Sequence, residues 1–311
     1  MSAGAIRVGT RESPLALRQA TLLADRVREL APERAVELVP MKTSGDRLGQ
    51  VALGSLGGKG LFVKELEEAV IAGRVDLAVH SLKDLPAALP DGLCLAAFLP
   101  RADPRDVLVS RTGAGIGDLP RGARVGTSSL RRRVLLLSVR PDLKIETIRG
   151  NVDTRLRRLT EGAYDAIVLA AAGLERLGLG LEHARPLDPD QFIPAVGQGI
   201  LAVEARADDR RLLELLGRLD HHGTRRQAEA ERAFLRHLGA SCHTPVAGHA
   251  RLADGELILT GLVASVDGRQ VLRGQTTGVA ENAELIGQKL AEELMARGAR
   301  AILGEIAEKM K

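Results

Sequence analysis

Aromatic residues are nearly missing from this chain: 311 positions hold four Phe, one Tyr and no Trp. Proteins that grip single-stranded nucleic acid stack bases on aromatic side chains, so that function has almost nothing to build on here. Cysteine is equally scarce. Cys94 and Cys242 cannot make the disulfide framework of a small secreted fold in a chain this long. Long hydrophobic runs are missing too: the longest apolar stretch, Ala166 to Leu174, falls far short of the ~18 residues of a membrane span. Arg7 stands where a signal peptide would need its apolar region, so the expectation is a cytoplasmic protein with no membrane partner.

What is there is globular. Hydrophobic residues make up 45% and charged residues 27%, enough to bury a sizeable core. At ~150 residues per domain the length suggests two domains, or three small ones. The net charge is only +4, but it is unevenly spread. Between Arg121 and Arg158 eleven Arg and Lys face three acids, which leaves the rest of the chain net negative. A dense cationic stretch without aromatics fits a small, multiply charged anion better than a nucleic acid.

Short apolar runs alternate with helical patterns from the start, the mark of an α/β fold with largely parallel strands. Strands are expected at Ala5 to Gly9, Val36 to Met41 and Val75 to His80, with helices at Leu15 to Leu30 and Leu61 to Ala72. The aperiodic, Gly- and Ser-rich segment from Lys42 to Gly60 reads as a mobile loop that could act as a lid. Its GGKG at Gly57 to Gly60 is not a phosphate-binding P-loop, because Gly60 stands where Ser or Thr is required.

A second unit repeats the pattern after the cluster at Pro100 to Asp106. Strands are expected at Arg124 to Thr127, Ile145 to Arg149 and Ala166 to Ala171, and helices at Ser129 to Val139 and Val152 to Thr160. VGT occurs at Val8 and again at Val125, and Asp76 and Asp165 each open an apolar strand. Two similar α/β lobes would leave a cleft between them for a ligand. From Thr224 the pattern changes to a helix (Arg225 to Leu238), a GASCHTP loop, strands around Glu256 to Val263 and Gln270 to Arg273 joined through Asp267-Gly268, and a closing helix from Glu281 to Arg297. This reads as a smaller α+β domain.

Three strand-to-helix junctions gather basic and hydroxyl groups: Arg11 with Ser13; Thr127, Ser128 and Ser129 with Arg131 and Arg132; and Arg149 with Asn151 and Arg155. A helix N-terminus offers free N–H groups and Arg adds a two-pronged clamp, so each junction suits a carboxylate or phosphate. Singly, such residues are more often plain caps and solvated charges. Three in one chain favour a polyanion site. HSLKDLP, His80 to Pro86, sets Lys83 beside Asp84 at a strand's end, where a carboxylate could stabilise a developing cation or pass a proton. As a bare pair they more often form a surface contact.

Cys94 lies in an apolar run and reads as an inert core residue. Cys242 lies among Gly239, Ala240, Ser241 and Pro245 just past a helix, accessible as a nucleophile or as an attachment point. His237, His243 and His249 lack metal-ligand spacing, so no metal is expected. Two rivals stand beside an enzyme: a two-lobed carrier that clamps an anion without chemistry, and a nucleic-acid binder.

Taken together these residues resemble the porphobilinogen deaminase (hydroxymethylbilane synthase) family over nearly the whole chain. The motifs are RESPLALRQ at Arg11, GGKGLFVKELE at Gly57, DLAVHSLKDLP at Asp76, DPRDVLVS at Asp103, GTSSLRRR at Gly126, IRGNVDTRL at Ile148, LAAAGLERLG at Leu169, PAVGQG at Pro194 and AERAFL at Ala230. The resemblance implies a transferase that joins four porphobilinogen molecules head to tail, releasing ammonia, to give the linear tetrapyrrole hydroxymethylbilane. It also implies a dipyrromethane cofactor held by a thioether to Cys242. The family's usual Gly-Gly-Cys reads Ala240-Ser241-Cys242 here, and Ser55 stands where some members carry Lys.

Carried over residue by residue, the resemblance makes Asp84 catalytic. It gives Lys83, Asp84, Thr127, Ser128, Ser129, Arg131, Arg132 and Arg155 to the cofactor beside Cys242. Arg11, Ser13, Gln19, Arg149, Arg155, Arg176 and Gln198 go to the incoming substrate and the chain. The implied fold is two lobes like those of periplasmic binding proteins with mainly parallel sheets (1–99 with 200–217, and 105–193), plus a C-terminal α+β domain (222–311). A monomer is expected, with possible hand-over of product to uroporphyrinogen-III synthase.

Overall fold

The computed structural model describes residues 4–44, 63–180, 183–240 and 244–309. The chain divides into two compact units, Met1–Ala102 with Ile200–Arg225, and Asp103–Gly199 with Arg226–Lys311.

The first unit opens with β1 (Ile6–Arg11), α1 (Pro14–Leu30) and β2 (Val36–Met41), followed by α2 (Lys64–Ile71), β3 (Leu77–Ser81) and β4 (Leu93–Phe98). Ser13 caps α1 by accepting from the Ala16 N–H at 3.3 Å, and Pro14 occupies the first turn, where no donor is needed. The helix buries Gln19, Ala20, Leu23, Ala24 and Val27, one stripe at helical spacing, against the sheet.

In the second unit come β5 (Asp106–Ser110), β6 (Arg124–Gly126), α3 (Leu130–Val139), β7 (Lys144–Glu146), α4 (Val152–Thr160), β8 (Ala166–Ala170), α5 (Ala171–Arg176) and β9 (Ala184–Pro186), in the sheet order β7-β6-β8-β5-β9. The chain then returns to the first unit as β10 (Leu201–Arg206) and α6 (Arg210–Gly217), giving that sheet the order β2-β1-β3-β10-β4. The expected βαβ strands pair in parallel in both sheets, while β10 and β5 run antiparallel to both of their neighbours.

The echo between the halves is physical. The Arg7 backbone N–H donates to Asp76 at 2.8 Å and its guanidinium to Gly73 O at 2.9 Å; Arg124 makes the same two bonds, at the same lengths, to Asp165 and Gly162 O. The glycine of each VGT has the same cause. A Cβ on Gly9 would meet Met41, Val75 and Leu66 at 3.0–3.3 Å, and one on Gly126 would meet Ile167, Tyr164 and Ile148 at 3.1–3.2 Å. Each strand is thus crossed closely by neighbouring side chains.

After α7 (His222–Leu238) the chain forms an antiparallel sheet of β11 (Val246–Ala253), β12 (Glu256–Ala264) and β13 (Val271–Val279), covered by α8 (Ala283–Leu294). Phe234, wholly buried, fills the space beside Gly248 and Gly261. The expected closing helix breaks instead into α8, a π-helical turn at Met295–Ala299 where Gly298 takes φ +108°, and α9 (Arg300–Lys309). β13 runs six residues past the expected Arg273, because Gly274 and Gly278 weaken its apolar signal while making room for Leu290 and Ile286 of α8. The strand expected from Ile145 to Arg149 is β7, which ends at Glu146 and leaves the rest as the loop before α4. Among the described residues no helix is long and apolar enough to cross a membrane.

Candidate functional site

In the first unit, β1 ends at Arg11 and β3 ends at Ser81, two adjacent parallel strands finishing at the same edge of the sheet. Ligands of α/β proteins bind at this edge, past the carboxyl ends of the strands. Beyond Ser81 the chain makes one 3-10 turn, Leu82–Asp84. Buried Leu82 pins the turn, and its N–H donates to Ile200 O at 3.0 Å. Lys83 is half-buried and Asp84 exposed. Gln19, 4% exposed, donates from Nε2 to Ser81 Oγ at 3.0 Å and ties α1 to the end of β3. Arg11, Ser13, Gln19, Lys83 and Asp84 therefore gather at one edge of one sheet.

Behind this edge lies a polar cluster that sequence reasoning missed. His80 Nε2 and Glu204 Oε2 are 3.0 Å apart and buried. Glu67, also buried, has its carboxyl pushed up by burial first and by the charge of Glu204 second. Oε1 of each glutamate is buried without a hydrogen-bond partner. The available signal was an acid in the middle of an otherwise apolar strand, LAVEAR.

In the second unit the two junctions stand past the end of β6 and between β7 and α4. Thr127 Oγ1 accepts from the Ser129 N–H at 3.2 Å, Ser129 caps α3 by accepting from the Arg132 N–H at 3.4 Å, and the Ser128 hydroxyl donates to Ile148 O. These bonds hold the β6–α3 turn to the chain leading into α4. Arg149 is half-buried, and Arg155 donates from Nε to Gly150 O at 2.8 Å. Arg176, at the end of α5, donates to Gly199 O at 2.7 Å, and burial lowers its pKa to about 10.

Arg131 and Arg132 face inward, exposed by only 4% and 7%. Both grip Asp106, which is wholly buried at the start of β5. Arg131 donates to Oδ2 at 2.8 Å, and Arg132 donates to Oδ1 at 2.8 Å and 3.2 Å. Gln198 joins them, donating to Oδ1 at 2.9 Å and to Pro104 O at 2.7 Å. Burial works to raise the Asp106 pKa, but the two guanidiniums outweigh it and hold the carboxyl well below the ordinary range. Three residues expected to meet ligand thus share one carboxylate. Asp106 was not singled out, although an acid opening the buried run VLV was the visible sign.

Glu231 of α7 was likewise missed. Its buried carboxylate accepts from the Gly197 N–H at 2.6 Å and the Ala250 N–H at 2.7 Å, bracing PAVGQG against β11. The helix it belongs to leads toward Cys242. Cys242 itself, and the supposed lid beyond Ser44, lie outside the described residues.

Comparison with known proteins is consistent over the chain. A family model described as "Porphobilinogen deaminase, dipyromethane cofactor binding domain" matches residues 6–214, and one described as "Porphobilinogen deaminase, C-terminal domain" matches residues 226–296. A porphobilinogen deaminase of Syntrophobacter fumaroxidans is 52% identical over 301 residues, 97% of each chain. That of Syntrophotalea carbinolica is 50% identical over 306 residues, 98% of this chain and 97% of its own. Among solved structures, the periplasmic VFT2 domain of Bordetella pertussis BvgS aligns with a TM-score of 0.40 at 17% identity, over 69% of this chain and 86% of its own. YhfZ of Shigella flexneri aligns with a TM-score of 0.37 at 19% identity, over 70% and 90%. With family models matching both parts and relatives half identical end to end, the chain belongs to the porphobilinogen deaminase family.

Proposed function

We propose that the strand-end groups of the two units are the working residues of the enzyme that polymerises porphobilinogen into hydroxymethylbilane on a dipyrromethane cofactor. The observation that supports the assignment of residues is that each unit carries Arg and hydroxyl groups past the ends of its parallel strands, and that in the first unit an exposed carboxylate, Asp84, stands with Lys83 on a pinned turn at the same edge as Arg11. The donor set suits the cofactor's chemistry, because each pyrrole ring bears two carboxylate arms and these groups offer charged N–H and hydroxyl donors.

When bound, the dipyrromethane supplies the free pyrrole α-carbon from which the chain grows. Lys83, Ser129 and Arg155 hold carboxylate arms, with Thr127 and Ser128 adding hydroxyls and Arg131 and Arg132 adding the N–H donors that Asp106, Ile193 O and Val168 O leave over, while Arg11, Ser13, Gln19, Arg149, Arg176 and Gln198 serve the incoming unit and the growing chain. Asp84 stabilises positive charge at a reacting ring through its carboxylate and accepts or returns the proton there. Cys242 is the attachment point. We extend the proposal to a monomer, organised as two α/β lobes and a C-terminal domain. It works in the cytoplasm, where a chain with two cysteines and no disulfide scaffold is at home, and passes its product to uroporphyrinogen-III synthase.

Intact mass with peptide mapping tests the attachment: active protein should carry two pyrrole units on Cys242, and an unmodified Cys242 thiol in active protein refutes it. Asp84→Asn should keep the adduct and lose turnover by ~100-fold or more. Wild-type turnover in that variant removes Asp84 from the chemistry.

A further inference from the structure

The first unit has a cavity at the other end of the same strands. It has a volume of about 530 Å³ and is lined by Arg7, Arg34 and Arg211 together with Asp76 and Asp209. Arg7 is the second residue of β1 and Asp76 immediately precedes β3, whereas Arg11 and Asp84 lie at and beyond the strands' far ends. At ~3.3 Å per residue, the strands separate the two places by roughly 13–17 Å. A ligand here is therefore not one that meets Asp84.

The charges in the cavity do not cancel. Arg7 is taken up by Asp76, at 2.8 Å and 3.2 Å, and by Gly73 O at 2.9 Å. Asp209 is taken up by the Leu212 N–H at 3.1 Å and by Arg206 at 3.2 Å. Both carboxylates thus already have guanidinium partners, which leaves Arg34 and Arg211. Arg34 donates to Gly4 O at 3.2 Å, but its Nε is buried and has no acceptor. Arg211 is exposed and forms no ion pair among the described residues. Neither Arg34 nor Arg211 has a carboxylate partner among the described residues, and an oxyanion in the cavity is the group that gives a guanidinium one. The volume lies within the range of small-molecule sites.

We infer that this cavity is an anion site, separate from the catalytic edge, for a small ligand bearing two oxyanion groups, one on Arg34 and one on Arg211. The oxyanions are carboxylates or phosphates, since a guanidinium fork takes either in two-pronged fashion.

The test is calorimetric titration of the holoenzyme at low salt with inorganic pyrophosphate and, separately, with succinate. It compares wild type, Arg34→Gln/Arg211→Gln, and Arg149→Gln, which lies in the proposed catalytic set. One class of binding should weaken by about 10-fold or more in the double variant and persist in Arg149→Gln. Porphobilinogen turnover of the double variant should equal wild type. Binding of pyrophosphate alone identifies a phosphate site, and binding of succinate alone a dicarboxylate site. Superimposable isotherms of wild type and double variant for both anions overturn the inference. As a second measurement, pyrophosphate soaked into a crystal must sit against Arg34 and Arg211, and its appearance only at the catalytic edge also overturns it. Neither result depends on the roles proposed for Asp84 or Cys242.

Discussion

Replacing Asp106 with Asn removes one full charge from an enclosed cluster while preserving its shape. The wild-type carboxylate is wholly buried and accepts four hydrogen bonds, at 2.8, 2.8, 2.9 and 3.2 Å, from Arg131, Arg132 and Gln198. Breaking a buried ion pair from one side typically costs ~3–5 kcal/mol, because the remaining charge is stranded. Here each guanidinium keeps a carbonyl partner, Ile193 O at 2.8 Å and Val168 O at 2.9 Å, so the lower end, about 3 kcal/mol, is expected. For a folded unit of this size that lowers Tm by roughly 6–12 °C. The sign with pH follows from the depressed carboxyl of Asp106. Its stabilisation is complete above the ordinary carboxylate range near pH 4 and is lost as pH falls through the native value. Thermal unfolding followed by circular dichroism at pH 7, 5 and 3.5 should show a wild-type advantage that is constant between the first two and no larger at the third. A Tm within about 2 °C of wild type at pH 7, or an advantage that grows on acidification, refutes the reasoning.

Glu67 should behave oppositely. Its raised native pKa means that the folded protein is penalised as pH rises from ~4 through that value, so Glu67→Gln should melt above wild type at pH 8, by roughly 2–4 °C for a change of about 1 kcal/mol. The gap should close by pH 4; a variant less stable than wild type at pH 8 rules out the charged-state penalty. Gly287 lies where α8 meets α7, and a Cβ there would press on Ala230 O, the Phe234 N and Ala233. Gly287→Ala should therefore destabilise by roughly 2 kcal/mol or more in urea unfolding, and an unchanged midpoint would show that the helices can part at no cost.

The βαβ elements were legible because each carries its own periodicity and caps. Val36–Met41 and Val152–Thr160 match their expected limits residue for residue. β5 and β10 went unassigned for a common reason: each pairs with strands distant in sequence, so no local pattern marks its ends. β10 pairs with β3 and β4 more than a hundred residues earlier, and DVLVS is buried at every position. For the site, strand-end Arg and hydroxyl groups announce themselves by their place between a strand and a helix. The groups that brace them do not. Asp106, Glu204 and Glu231 are single acids in apolar or helical runs, and only folding shows that Asp106 meets two guanidiniums, Glu204 an imidazole and Glu231 two backbone N–H groups.

The insertion of β10 between β3 and β4 has a consequence for biosynthesis. The amino-terminal sheet lacks its fourth member until residues 201–206 have left the ribosome, by which time all of the following unit's α/β segment has been translated. Until then β3 and β4 each present a bare edge, the kind of template on which nascent chains pair wrongly. A truncated product ending near Gly199 should thus be an aggregation hazard rather than a foldable fragment. The Leu82–Asp84 turn after β3 cannot set until translation has passed well beyond it, because the Leu82 N–H donates its hydrogen bond to Ile200 O.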